Sequence, residues 1–233
     1  MIWLQGWSFP ADLWSDQGLG LDNLQHRFED FIRSESVADI REGARAALFA
    51  EDGPTRILGW SLGAMVALEL ARDFPDHVRA LYLVGASDTF VTTPESELGW
   101  SEQTFERMGL RLEEDLDATL RRFYRQIFTA DERRDGYLRT LLHGVAEAER
   151  STVALRAGLD FLRTYALGSL DITKPVFLLH GERDTICPLG SAERLCSGLS
   201  DAELTVVEDA GHAPFLTNRS LFASWLSDAI ARS

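Results

Sequence analysis

A serine between small residues, a carboxylate and a histidine can together perform nucleophilic acyl transfer, and this chain offers a candidate for each. Gly59-Trp60-Ser61-Leu62-Gly63 is a G-x-S-x-G pattern. Between a strand and a helix, such a pentapeptide bends the backbone into a strained turn that only small neighbours tolerate, and the hydroxyl then stands above the sheet. The blander explanation is a chance glycine pair around a helix-capping serine. A serine hydroxyl is a weak nucleophile until a histidine takes its proton and a carboxylate fixes that histidine's tautomer. Val176 to His180 reads as a strand that runs through Gly181-Glu182-Arg183 into Asp184, just past its C-terminal end. His212, in Ala210-Gly211-His212-Ala213-Pro214-Phe215, follows the next strand and falls in a loop at the same sheet edge.

Other candidates have simpler roles. His180 lies within its strand and reads as a buried, satisfied histidine, while His26, His77 and His143 fall on helices or connectors and read as surface residues. Glu182 and Asp209 precede the turn positions that aim inward. The oxyanion of a tetrahedral intermediate needs two preorganised N–H groups. Leu62 supplies one because it opens a helix, and Trp7, in Gln5-Gly6-Trp7-Ser8, is expected to supply the second while its ring anchors the core. Gly6-Trp7-Ser8 repeats the Gly-Trp-Ser of the serine turn, but no glycine follows and no full strand precedes it, so Ser8 is not taken as a nucleophile.

These groups need a sheet to align them, and the chain alternates apolar runs with helical periodicity, the pattern of a parallel sheet covered by helices. Ile2 to Leu4 begins the first strand, and Leu13 to Leu24 reads as a short helix broken around Gly18 and Gly20. His26 to Ile32 is the expected second strand, followed by a helix capped by Ser36. Thr55 to Gly59 is a strand, Leu62 to Phe74 a helix stopped by Pro75, and Arg79 to Gly85 a buried strand. Ser87 to Gly168 contains no strand pattern, only a polar connector and helical segments at Glu102 to Met108, Leu116 to Phe128, Asp131 to Ala146 and Thr152 to Tyr165. It reads as a helical cap over residues 87–168, inserted into a core of 1–86 and 169–233. The alternation resumes with Val176 to His180, a helix from Leu189 to Leu199, a strand Glu203 to Val207 and a helix Leu221 to Ile230.

Composition narrows the class. With 233 residues, 45% of them hydrophobic, the chain can bury a sizeable single-domain core without a disulfide or metal staple. Its 37 acidic against 23 basic residues give a formal charge of -14, which disfavours nucleic acid and anionic lipid as partners. The N-terminal residues lack a basic flank and an apolar run of signal-peptide length, and no membrane span is expected, so the expected location is cytoplasmic. Cys187 and Cys196 form neither a disulfide framework nor a metal-ligand cluster and suit a reducing compartment. No metal or organic cofactor is implied.

With these residues in place the chain resembles the α/β-hydrolase superfamily, and within it the pimeloyl-[acyl-carrier protein] methyl ester esterases of biotin synthesis. The likeness runs nearly the full length and is clearest at LQGWSFPADLW (Leu4 to Trp14), LGWSLGAMVALELA (Leu58 to Ala71), Gly158 to Gly181 and DAGHAPFL (Asp209 to Leu216). The subgroup rests on Trp7 after the loop glycine, Trp60 inside the pentapeptide, and Gly158 to Leu162. The resemblance implies a serine carboxylesterase with Ser61, Asp184 and His212 as catalytic residues, and an acyl channel lined through an Arg-Phe pair, here Arg122-Phe123. By that carry-over Phe123, Tyr124 and Ile127 join Trp7 in binding the acyl chain. The family's usual His-Gly before the tryptophan is Gln5-Gly6 here, its Asp-x-x-Gly-x-Gly turn is missing between Asp22 and Glu35, and the strands that precede this loop in relatives are lacking. The sheet is therefore expected to be mostly parallel with about six strands.

Charge is unevenly spread. Phe105 to Arg163 holds 11 arginines and 11 acidic residues, so the remainder, with 12 basic against 26 acidic, carries the whole excess. Between Ala118 and Ala146, Arg121, Arg122, Arg125, Arg133, Arg134 and Arg139 face only Asp131, Glu132 and Asp135. Such a patch would orient an acidic acyl carrier protein, although solvated helix faces paired to nearby acids account for it equally well. The reading is hydrolysis of an acyl methyl ester presented on that carrier. Its rivals are a broader short-chain carboxylesterase, a hydrolase-fold lyase like that of menaquinone synthesis, and a noncatalytic binding protein that kept the fold.

Overall fold

The computed structural model describes residues 1–17, 24–93 and 97–233, and for 15–17 the backbone only. Six strands form one sheet: β1 (Ile2–Leu4), β2 (Arg27–Glu29), β3 (Thr55–Trp60), β4 (Val78–Val84), β5 (Val176–Gly181) and β6 (Ala202–Val207), in the order β2-β1-β3-β4-β5-β6. Every pairing is parallel. The chain leaves β1 toward one edge, then returns past it and builds the rest of the sheet on the other side. The order therefore reverses between β1 and β3, and the loops leaving the C-terminal ends of those two strands diverge there, opening the crevice where parallel α/β sheets bind ligands.

The central strands read as continuous apolar runs because helices cover both faces. Ala80 to Val84 of β4 and Leu179 of β5 are fully buried. Helix α1 (Val37–Phe49) begins where the Ser36 side chain accepts from Asp39 N, as its sequence predicts. Helix α2 (Leu62–Asp73) is buried along nearly all its length and ends before Pro75. The other core helices are α8 (Leu189–Gly198) and α10 (Arg219–Ala231), preceded by a single-turn helix, α9 (Pro214–Thr217).

Between β4 and β5 the described residues form five helices, α3 (Glu102–Glu114), α4 (Leu116–Ile127), α5 (Ala130–Arg134), α6 (Tyr137–Gly144) and α7 (Thr152–Thr164). Most announce themselves by a capping side chain: Ser101, Asp115, Thr129 and Ser151 each accept a backbone N–H of the first turn. The described residues of this stretch contain only isolated bridges, Thr89 with Ala166 and Val91 with Trp100.

Several expectations need correction. The single helix over Asp131 to Ala146 is two, because Gly136 adopts φ 96°, a left-handed conformation that ends α5 and starts α6 at a new angle. The helix read at Leu13 to Leu24 is a 3-10 helix over Ala11–Gln17, and its continuation through residues 18–23 lies outside the described residues. The second strand is only three residues long, since β1, its sole partner, offers no longer edge.

Candidate active site

Ser61 occupies the turn from β3 to α2 with φ 54° and ψ −116°, a conformation that L residues seldom adopt. Its N–H donates to the Val84 carbonyl at 2.9 Å and its carbonyl accepts from Met65 N at 3.1 Å. The glycines on either side are obligatory. A Cβ on Gly59 would lie 2.7 Å from the backbone of Ala64, and one on Gly63 would run into the Leu4 carbonyl at the end of β1. The second contact also presses the loop carrying Gln5 to Ser8 against the start of α2.

Asp184 sits in the turn after β5, fully enclosed. Its Oδ1 accepts from Ile186 N at 2.8 Å and Cys187 N at 2.9 Å, and its Oδ2 lies 2.6 Å from His212 Nδ1. Burial alone would raise its pKa. The neighbouring imidazole of His212 and its hydrogen bond outweigh burial, with smaller help from His180 and Cys187 N–H, and hold the carboxyl below its ordinary range. With Nδ1 engaged, His212 keeps Nε2 buried and without a hydrogen-bond partner among the described residues. Gly85, at φ 59°, makes room for the ring: a Cβ there would lie 2.8 Å from His212 Cε1. Since Val84 accepts from Ser61 and Gly85 underlies His212, the end of β4 draws serine and histidine together.

The loop bearing His212 is fastened from three sides. His212 N donates to the Ile127 carbonyl at 2.7 Å, its carbonyl accepts from Trp60 Nε1 at 2.9 Å, and Gly211 N reaches both oxygens of Glu132 at 3.2 Å. Glu132 is buried and also accepts from Thr129 N at 2.7 Å, closing a capping box at the start of α5. Its anchoring role escaped sequence reasoning. The only signal, the Thr-x-x-Glu spacing, points to a helix start and not to a histidine loop 80 residues away.

On the opposite side, Gln5 is buried and turns back on its own loop, donating through Nε2 to Pro10 O at 2.9 Å and accepting from Gly6 N at 3.3 Å. The Trp7 ring donates to Leu155 O at 2.8 Å, meets Phe123 edge-on at 4.8 Å and rests on Gly158, where any Cβ would collide with it. Among the described residues, neither the Trp7 nor the Leu62 backbone N–H has a protein acceptor. Ser8 follows at φ 73°; its hydroxyl has no hydrogen-bond partner and its carbonyl takes Arg150 Nε at 3.1 Å.

Of the residues expected to line an acyl channel, Phe123 and Tyr124 point different ways. Phe123 lines a cavity of about 490 Å³ with Trp100, Met108, Arg107, Arg111 and Arg122. Tyr124 turns the other way, onto Phe9 at 5.0 Å and the Ser8 carbonyl, and Ile127 meets the histidine loop through its own carbonyl. A larger cavity, about 840 Å³, lies between α6 and residues 216–221 and is not lined by Ser61, Asp184 or His212. Of the six arginines in the basic stretch, Arg134 pairs with Asp131, and Arg133 donates to the carbonyls of Phe128 and Arg125 at the end of α4. Arg121, Arg122, Arg125 and Arg139 are exposed and form no ion pair among the described residues. Glu132 faces the interior, which leaves the surface of this stretch more basic than its sequence suggests.

His180 is buried, but only one of its nitrogens is satisfied: Nε2 lies 2.7 Å from Cys187 O, and Nδ1 has no partner among the described residues. His26 is half-buried and accepts from Trp3 Nε1 at 2.9 Å, so it belongs to the sheet edge and not to open surface. Glu182 is exposed and accepts from Asp209 N, while Asp209 pairs with Arg183. Cys187 is buried and burial pushes its thiol pKa well up. Among the described residues no three His, Cys, Asp or Glu side chains gather to hold a metal, and no helix is long and apolar enough to cross a membrane.

A carboxylate-oriented imidazole with an open Nε2, a serine in a strained turn and two unclaimed N–H groups nearby are the equipment of acyl transfer. A family model described as alpha/beta hydrolase fold matches residues 35–219. The chain is 37% identical, over 75% of its length and 73% of the relative's, to a pimeloyl-[acyl-carrier protein] methyl ester esterase of Aromatoleum aromaticum. It is 32% identical to one from Methylococcus capsulatus over 100% and 95% of the two chains. Among solved structures, an esterase from Exiguobacterium antarcticum superposes with a TM-score of 0.83 at 19% identity, covering 99% of this chain and 92% of that one. An enol-lactonase from Burkholderia xenovorans gives 0.84 at 13% identity over 99% and 90%.

Proposed function

The chain belongs to the α/β-hydrolase family and, within it, to the pimeloyl-[acyl-carrier protein] methyl ester esterases, and from that premise we propose that it hydrolyses the methyl ester of a pimeloyl group carried on acyl carrier protein. It is a serine hydrolase acting on a carboxylic ester. Ser61 Oγ attacks the ester carbonyl as His212 Nε2 takes its proton, and the N–H groups of Trp7 and Leu62 hold the oxyanion. His212 then protonates the departing methoxide, which leaves as methanol. Water attacks the acyl-serine with the same histidine as base, releasing the free carboxylate and restoring the hydroxyl. Asp184 keeps the Nδ1 hydrogen on its own side and stabilises the imidazolium.

The single observation that carries this reading is the 2.6 Å contact between Asp184 and His212 beside a serine at φ 54°. A receptor needs a pocket; it has no use for a strained serine next to an oriented imidazole. In this reading 1–86 and 169–233 are the catalytic core and 87–168 a cap, with Trp7 and Phe123 touching the acyl chain directly and Tyr124 and Ile127 shaping the wall behind them. Arg121, Arg122, Arg125 and Arg139 offer their guanidinium groups to an acidic carrier, while Arg133 braces the end of α4 and Arg134 pairs with Asp131 within α5. Two free thiols suit a cytoplasmic setting. The test is direct: incubation with the carrier-bound methyl ester should release methanol, and a fluorophosphonate should label Ser61 and block that release. Labelling at another residue, or faster turnover of free short-chain esters than of the carrier-bound one, would overturn the assignment.

A further inference from the structure

Asp184 has two oxygens and four close neighbours. Oδ1 takes the N–H groups of Ile186 and Cys187, and Oδ2 is shared: His212 Nδ1 lies 2.6 Å away and His180 Nε2 3.3 Å away. The second imidazole comes from β5, four residues before the carboxylate, and is 0% exposed. Its Nε2 is also 2.7 Å from the Cys187 carbonyl. A carbonyl oxygen only accepts, so Nε2 carries the hydrogen, and Nδ1, buried without a partner, is left with the lone pair. Burial holds the pKa of His180 below that of an ordinary imidazole against the pull of Asp184, so the ring stays a neutral donor.

This assignment rests on the triad reading above. We propose that His180 is a positioning residue for the Ser61–His212–Asp184 relay, acting on Asp184 through Oδ2 and the Cys187 carbonyl. Its Nε2–H fixes the Cys187 carbonyl, and through that residue the N–H that holds Oδ1; the same N–H dipole, beside Oδ2, lowers the basicity of the oxygen that faces His212. The relay needs that restraint. Too basic a carboxylate binds the Nδ1 hydrogen more strongly, stabilises the imidazolium and leaves less neutral His212 to act as base at low pH.

The titratable and charged groups around the cluster are few. His212 approaches from the loop after β6, the Cys187 thiol from the turn after β5, and Glu193 acts on His180 from α8. Tyr165, at the end of α7, is within electrostatic reach of Cys187, and burial pushes both its phenol and that thiol well above their ordinary ranges. Of the two imidazoles, His180 is the one that burial holds neutral.

The experiment measures kcat/KM for p-nitrophenyl butyrate from about pH 5 to about pH 9 on the full chain, for the parent, His180→Met and His180→Gln. Methionine fills the space without a donor; glutamine returns an N–H near the position of Nε2. The acid limb of His180→Met should move up by about half a pH unit, while His180→Gln should stay within about 0.2 units of the parent. An unmoved limb in folded His180→Met, or equal displacement in both variants, overturns the proposal. Fluorophosphonate labelling of Ser61 is run alongside: a parent that fails to label sinks the triad reading, whereas a labelled parent with unmoved variants sinks His180 alone. If His180→Met does not fold, nitrogen NMR of histidine-labelled parent decides. A non-titrating ring protonated on Nε2, with a resonance that moves when Ser61 is phosphonylated, supports the role; a ring protonated on Nδ1, or an unmoved resonance, overturns it.

Discussion

Ser61 and His212 are both seated on the end of β4, yet they are held in opposite ways. Ser61 is fixed by its immediate chain: the β3–α2 turn, two glycines that admit no side chain, and one hydrogen bond to the adjacent strand. His212 is fixed by residues from everywhere else, namely Asp184 after β5, Trp60 beside the serine, and Ile127 and Glu132 from the helices between β4 and β5. The serine's geometry is thus set mainly by its own turn, and the histidine's is a tertiary product. Damage to the first should be absolute; damage to the second should come in degrees.

The largest effect expected is at the locally held member. Ser61→Ala should lower kcat for methyl ester hydrolysis by roughly 10⁵-fold or more with the circular dichroism spectrum unchanged, because no covalent route survives loss of the hydroxyl. A residual rate within about tenfold of the parent would break the comparison at its root. Asp184→Asn should come next, at roughly 10⁴-fold in kcat, since an amide in that position favours the wrong histidine tautomer. Steady-state kinetics near the parent's would mean that another carboxylate orients His212.

Glu132 separates the two regimes. Glu132→Ala removes the acceptor of Gly211 N and loosens the histidine loop, so kcat should fall about tenfold with KM changed by less than about twofold, and Glu132→Gln, which keeps an acceptor oxygen, should recover most of the loss. A Glu132→Ala enzyme as fast as the parent would show that Ile127 and Trp60 suffice. The smallest effect lies farthest from the chemistry. Arg121→Glu with Arg125→Glu should reduce kcat/KM for the carrier-bound ester several-fold at low ionic strength and flatten its salt dependence, leaving p-nitrophenyl butyrate unaffected. Equal losses on both substrates would point to a disturbed α4, and no loss on either would reduce these arginines to a solvated helix face.

The same division explains what could be read from the chain beforehand. Ser61, Ser36 as a cap, and the apolar strands are written in short contiguous spacings, and the structure places them where those spacings say. Asp184 and His212 were legible because each closely follows a strand, so sheet geometry carries them to one edge. Glu132 and the second contact of His180 were not, since pairing across 79 residues, or a strand residue's ring turning onto the carboxylate of the following turn, leaves no periodic trace. The break between α5 and α6 was missed because helical periodicity persists across Gly136, whose positive φ only the folded chain reveals. The divergent directions of Phe123 and Tyr124 follow from helix geometry: consecutive residues lie about 100° apart around the axis, so a motif that names neighbours cannot name a face.

That the histidine's own N–H is answered by the Ile127 carbonyl bears on how such an enzyme can be altered. The segment 127–132 is shared equipment, belonging as much to the base as to the helices above it. Exchanging the whole insertion for a relative's, as one would to transplant an acyl preference, carries the base's tether away with the specificity and should yield proteins that bind the new ester yet turn it over poorly. Libraries that hold Ile127, Thr129 and Glu132 constant and vary Phe123 and the residues around its cavity should test the proposed acyl contact while leaving the tether of His212 in place.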